Sequence, residues 1–258
     1  MTTTTTPERQ RTTARRAALA LAVASGLAIA GFTALGAVFD YPQILKRPTD
    51  EILTLYRTHQ AAIMLWFAAL AIGSALLAPA GVWLGRLTGG TLGRWIAGTG
   101  IAAAAVQVIG LQRWVFLVPT IAHDALDPSQ QAAAQARFEF LHNLLGRVIG
   151  ETIGYALTAT FTILVAVALA GTVLPRWLAV AGQAAAGLIA TGVFAPVLGI
   201  ATLTNFAGYV LWCGWLLALA WLLIRRTAVP ASRESGEPPA SAATTAPRPG
   251  HGRRPADR

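Results

Sequence analysis

Glu139, Asn143, Arg147, Glu151 and Tyr155 recur every four residues, and the series climbs from a polar stretch into one with no further charge before Arg176. Four residues of an α-helix turn through about 400°, so these side chains share a face that drifts slowly around the axis. Arg147 and Glu151 are spaced to pair along it. An ionisable group inside hydrocarbon is costly, so such a face must meet protein, water or the membrane interface. Three roles stay open for it: structural pairing, contact with a solute or catalysis, and plain interfacial exposure. Gln107, Gln112 and Arg113 interrupt a second apolar stretch. Arg113 lies about 9 Å of helix before Pro119, and Glu151 about 7.5 Å beyond Gly146. Two opposite charges at similar depth lead us to expect a direct Arg113–Glu151 contact, with Arg147 and Gln112 as competing partners.

Gly146, Gly150 and Gly154 run beside the charged series, also four apart. Small residues in such a row let another helix approach closely, within the chain or in a second copy, so a homo-oligomer stays open. His59, His123 and His142 fall near one membrane boundary together with carboxylates, which is the chemistry of a zinc site. No HExxH or related local motif supports one, and the expectation is no metal and no cofactor. No glycine-rich phosphate loop followed by lysine and no GxSxG appears. Catalytic residues are therefore not assigned, and the balance is against an enzyme.

The elements that must position these residues follow from composition. Of 258 residues, 55% are apolar and 12% charged, with a mean hydropathy of +0.55. A water-soluble chain of this size needs more polar surface. The net charge of +9 collects in terminal segments beside apolar runs, where cations face lipid head groups; no folded basic module surrounds them, and nucleic acid is not an expected partner. The single cysteine, Cys213, excludes an intrachain disulfide.

Six apolar stretches alternate with polar turns: Ala17 to Phe39, Ala61 to Leu84, Trp95 to about Pro119, Val148 to Val173, Trp177 to Leu203 and Phe206 to Ile224. The first is longer than the apolar core of a signal peptide and reads as a membrane helix instead of a cleaved leader. Pro79 is expected to kink the second span. Thr49-Asp50-Glu51 reads as a capped helix start, and Asp127-Pro128 as a cap with proline at the first helical position. The fold class is all-α: a polytopic bundle of six transmembrane helices with a short amphipathic cap facing outward. Residues 1–16 and 227–258 are expected to be disordered tails around a 17–226 membrane domain.

Placing the N terminus inside puts Arg86, Arg94, Arg176 and both basic tails on the cytoplasmic side. Only Lys46, Arg47, Arg57, Arg113, Arg137 and Arg147 of the 20 basic residues remain for the other. The expected location is the cytoplasmic membrane of a bacterium, with both termini cytoplasmic and the lipid bilayer as the principal partner.

Phe39-Asp40-Tyr41-Pro42 after the first span, Gly150-Glu151 opening the fourth, and Asn205-Phe206-Ala207-Gly208-Tyr209-Val210-Leu211-Trp212 opening the sixth resemble the bacterial membrane family called domain of unknown function 4386. The resemblance covers about residues 17–226 and implies bundled membrane helices; it brings no reaction, substrate or catalytic residues. Three functions therefore compete: a structural, sensory or regulatory membrane protein, a small-solute permease, and a membrane-embedded enzyme using the outward histidine and carboxylate groups.

Overall fold

In the computed structural model, which describes residues 7–195 and 197–228, the regular elements are all helical. They run in the order α1 (Pro7–Phe39), α2 (Thr49–Thr58), α3 (Gln60–Ala75), α4 (Leu77–Thr88), α5 (Gly90–Phe116), α6 (Val118–Asp124), α7 (Gln131–Leu141), α8 (Gly154–Leu169), α9 (Arg176–Ala190) and α10 (Gly199–Ala228). A π-helix, His142–Ile153, joins α7 to α8, and 3-10 turns occupy Gln43–Lys46 and Thr191–Phe194. Among the described residues six stretches are long and apolar enough to cross a membrane: α1, α3–α4, α5–α6, α7–α8, α9 with its 3-10 turn, and α10. The protein is a multi-pass membrane protein with an all-α fold.

The spans pack side by side in chain order, and the ring closes where α10 returns to α1. A hydrogen bond from Ser25 Oγ to the Cys213 carbonyl, 3.0 Å, crosses that seam. The tightest hairpin is α4–α5. Its turn carries Gly89 and Gly90 at φ +72° and +60°, a region that strains any side chain. Gly81 faces Gly100 in the same hairpin, where a Cβ on Gly81 would stand 3.1 Å from the Gly100 Cα.

Proline explains two of the breaks. Pro79 has no N–H to offer the Ala75 carbonyl, and the regular helix is interrupted at Leu76; the same holds for Pro119 and the interruption at Leu117, between α5 and α6.

Several boundaries differ from the sequence expectation. Helix already covers residues 7–16, ahead of Ala17, so these residues are helix and not tail, and Ala14 is buried against the bundle. Span five ends at Phe194 and span six starts at Gly199, earlier than expected, around the proline at position 196. Thr49 is not a cap: its hydroxyl donates to Glu139 Oε1 at 2.9 Å, and Pro48 precedes the helix. Asp127 does not cap a helix at Pro128 either. It accepts from the Ser129 hydroxyl at 2.7 Å and the Ser129 N–H at 2.8 Å, forming a turn before α7 starts at Gln131. The Ser129 hydroxyl, its N–H and Gln130 hold that exposed carboxyl below the usual range. The expected C-terminal tail lies, from residue 229 on, outside the described residues.

Two apolar cores occupy opposite ends of the bundle. One, at the end covered by α2, α6 and α7, is aromatic: Phe39, Tyr56, Phe67 and Phe138 surround Trp114. The other, toward the start of α1 and the end of α10, is built from Leu21, Leu84, Ile96, Phe161, Leu169, Trp215 and Leu223. We call these the capped end and the basic end. Along α5 the cores are separated by the residues between Ala104 and Trp114, and along α3–α4 by those between Leu70 and Leu77. Gln107, Gln112 and Arg113 fall in that gap.

Candidate functional site

Three spans are tied together by one side chain. Gln107 Oε1 accepts from Ser74 Oγ at 3.0 Å, and Gln107 Nε2 donates to Thr158 Oγ1 at 2.6 Å, joining α3, α5 and α8. Thr158 also lies within hydrogen-bonding reach of Tyr209 on α10. One turn along, Trp212 Nε1 donates to Thr162 at 2.8 Å. Apolar side chains above and below leave these groups no water to turn to, so they are satisfied by each other. Replacing Gln107 with leucine is expected to lower stability by about 1–2 kcal/mol, since two interhelical hydrogen bonds of about 0.6 kcal/mol are lost and their partners stranded. Unfolding in mixed micelles reads this directly; an unchanged curve would remove the bridge from the forces holding the layer.

Arg113 lies above that bridge and is only 5% exposed. Its Nη1 donates to the Gly110 carbonyl, its Nε has no partner, and its guanidinium sits 5.3 Å from the Trp114 ring centroid. Gly146 makes this position available: a Cβ there would stand 2.7 Å from Arg113 Nη2. The rest of the glycine row also faces α5. A Cβ on Gly150 would stand 3.1 Å from the Gly110 Cα, and one on Gly154 3.5 Å from Gln107 Cγ. The row therefore lies inside the chain's own bundle.

The expected Arg113–Glu151 contact is not made. Ion pairs within 4.0 Å near the capped surface include Arg47–Asp40, Arg47–Glu51 and Arg137–Asp124, and none involves Arg113. Arg147 and Glu151 do not pair either. Both lie in the π-helix, whose turns close from i to i+5; Arg147 is exposed there and Glu151 half-buried. Thr152 Oγ1 reaches back five residues to the Arg147 carbonyl, at 2.9 Å. Arg113 meanwhile folds back on its own helix.

Glu151 nonetheless stands within electrostatic reach of Arg113, Tyr41 and Tyr155. Tyr155 meets Tyr209 edge-on at 5.8 Å. Burial pushes the Tyr41 hydroxyl up to about 12, with Glu151 adding to the rise and Arg113 opposing it, so Tyr41 remains a neutral donor at physiological pH. Gln112 Oε1 is buried without a partner. Arg147, Asn143 and Glu139 are exposed.

The histidines are not gathered. His59 and His123 are exposed at the ends of α2 and α6, whereas His142 is buried and stacked on Phe138, with ring centroids 5.6 Å apart. Among the described residues no three His, Cys, Asp or Glu side chains come together to hold a metal.

Sequence reasoning missed Asn205 as a structural group. Its Nδ2 donates to the Ile189 carbonyl at 2.7 Å and fixes the start of α10 against the end of α9. A lone amide in an apolar run was the signal available.

The family model of DUF4386, a domain of unknown function, matches residues 17–220. The chain belongs to this family. No curated protein and no solved structure matches it. The DUF4386 match takes in the aromatic core and every residue of the layer between the cores, while Ala14 and Leu223 of the basic-end core stand outside it. Pro7 to Arg16, the solvated beginning of α1, stands outside the DUF4386 match.

Proposed function

We infer that this protein is a non-enzymatic sensory or regulatory component of a bacterial cytoplasmic membrane, with both termini on the cytoplasmic side. The charge distribution supports the orientation. Arg9, Arg11, Arg15, Arg16, Arg86, Arg94, Arg176, Arg225 and Arg226 gather at the basic end with Glu8 as the only acid described there. Asp40, Asp50, Glu51, Asp124, Asp127 and Glu139 all belong to the capped end.

One observation carries the sensory reading: a hydrogen-bonded, charge-bearing layer links α3, α5, α8 and α10 between two separate cores, at the level where α7–α8 changes its winding. A π-helix is a common companion of functional sites and offers an alternative register close in geometry to the α-helix. A change at Glu151 then has a path to the other end of the bundle. A permease is the second reading, favoured by the interruptions of α3–α4, α5–α6 and α7–α8 near the polar layer, because broken helices frame many transporter sites.

Glu151→Gln separates the two. In the sensory reading it changes amide exchange several-fold in the turns at residues 89–90 and 171–175, beyond the π-helix and at the far end of the bundle. Proteoliposomes carrying the protein stay osmotically tight to glycerol, alanine and acetate. Unaltered exchange in both turns would sink the sensory reading, and protein-dependent swelling in any of the three solutes would move the assignment to a permease.

A further inference from the structure

We propose that Arg113 is the seat of an oxyanion-binding site that takes a carboxylate or phosphate group at the capped-end side of the polar layer. The inference deepens the sensory reading by naming the class of ligand to which the layer responds.

Arg113 differs from the other arginines near the capped end. Arg47 pairs with Asp40 at 2.6 Å, Arg137 with Asp124 at 3.3 Å, and Arg57 donates to the Ala122 carbonyl at 3.0 Å and to Thr54 at 2.9 Å. These side chains are partly exposed, where a cation needs little help. Arg113 is the buried one, and among the described residues it forms no ion pair. A buried guanidinium is stable only when its charge and donors are met. The Gly110 carbonyl accepts one N–H, and Nε remains without a partner. A planar fork of donors is matched by two oxygens of one carboxylate or phosphate group.

Gly146 contributes no side chain, so the guanidinium lies directly against the backbone of the π-helix, held in one orientation. Tyr41 and Tyr155 lie within electrostatic reach of Arg113 and carry hydroxyl groups. Glu151 sets the selectivity. It lies too far from Arg113 to form an ion pair, yet near enough to repel an arriving anion, so the site is weakened by a like charge that one substitution removes. The repulsion also couples occupancy to the π-helix, because Glu151 is part of it.

The oxyanion could be free in solution or carried by a lipid head group, and the test has an arm for each. Full-length protein in a neutral detergent is titrated at constant ionic strength with sodium phosphate or sodium acetate. In parallel, phosphatidylglycerol is added to mixed micelles, with phosphatidylcholine as the uncharged control. The melting temperature rises saturably with at least one probe, and the responding arm identifies the source. Arg113→Gln abolishes the rise. Glu151→Gln moves half-saturation to an about tenfold lower concentration, as loss of a nearby like charge requires.

Absence of a saturable rise with every probe, or an equal rise in Arg113→Gln, overturns the proposal. Should Arg113→Gln fail to fold, Glu151→Gln decides, and unchanged half-saturation overturns it. Oxyanion binding combined with unaltered exchange in the far turns would keep this site and discard the sensory reading.

Discussion

Replacing Trp114 with alanine is expected to destabilise the protein by about 3–5 kcal/mol, the range for removing a large aromatic side chain from a packed core. Trp114 is fully buried, stacks on Phe67 with ring centroids 5.0 Å apart and planes 8° apart, and meets Phe39 edge-on at 5.2 Å. Phe138 and Tyr56 complete the cluster at 5.9 and 6.0 Å. These rings come from α1, α2, α3, α5 and α7, so the indole is where the capped end is assembled. The 2.7 Å bond from the Tyr56 hydroxyl to the Trp114 carbonyl belongs to the backbone and survives the change. Trp114→Phe is expected to cost much less, because it keeps a ring and removes an indole N–H that is buried without a partner. Thermal unfolding in detergent, followed by circular dichroism, compares the two. Equal losses would mean that ring packing is not what the tryptophan supplies.

Replacing Gly110 with leucine is expected to be comparably severe. A Cβ on Gly110 would stand 2.7 Å from the Gly150 Cα, so a branched side chain must push α5 away from the π-helix. That displacement also moves the carbonyl held by Arg113. Gly98 on the same helix is the control, since nothing lies within 4 Å of the position its Cβ would take, and Gly98→Leu should leave the melting temperature near its starting value. Similar melting temperatures for the two variants would show that α5 and the π-helix do not depend on this close approach.

The six spans were legible because hydrophobicity is an average over many residues, and no single position can overturn it. Their ends were not, because they depend on single residues in context. Residues 7–16 are helical in a basic segment whose composition alone suggests disorder. Around position 196 the turn occurs inside a stretch that reads as continuous apolar helix. Thr49 and Asp127 are good caps by type, but each found another partner, Glu139 for one and Ser129 for the other. The charged stripe failed differently. Its residues lie in a π-helix, with Arg147 exposed and Glu151 half-buried, so sharing a face did not make them pair. Nothing in His142–Ile153 announces that winding beyond glycines that allow α5 to come close. Depth was therefore easier to read than direction: Arg113 and Glu151 fall at neighbouring levels, while their side chains do not meet.

The division into two cores has a mechanical consequence. A helical bundle with one continuous core answers a change in bilayer thickness by tilting as a whole, because mismatch between its apolar length and the hydrocarbon is relieved that way at modest cost. Here the aromatic tier and the aliphatic tier are each packed within themselves and joined across a band that several hydrogen bonds cross. Such bonds re-form after small rotations more readily than interdigitated side chains do. Thinning of the membrane, or tension within it, should therefore turn one tier against the other, with the strain concentrated where the backbone is already wound irregularly.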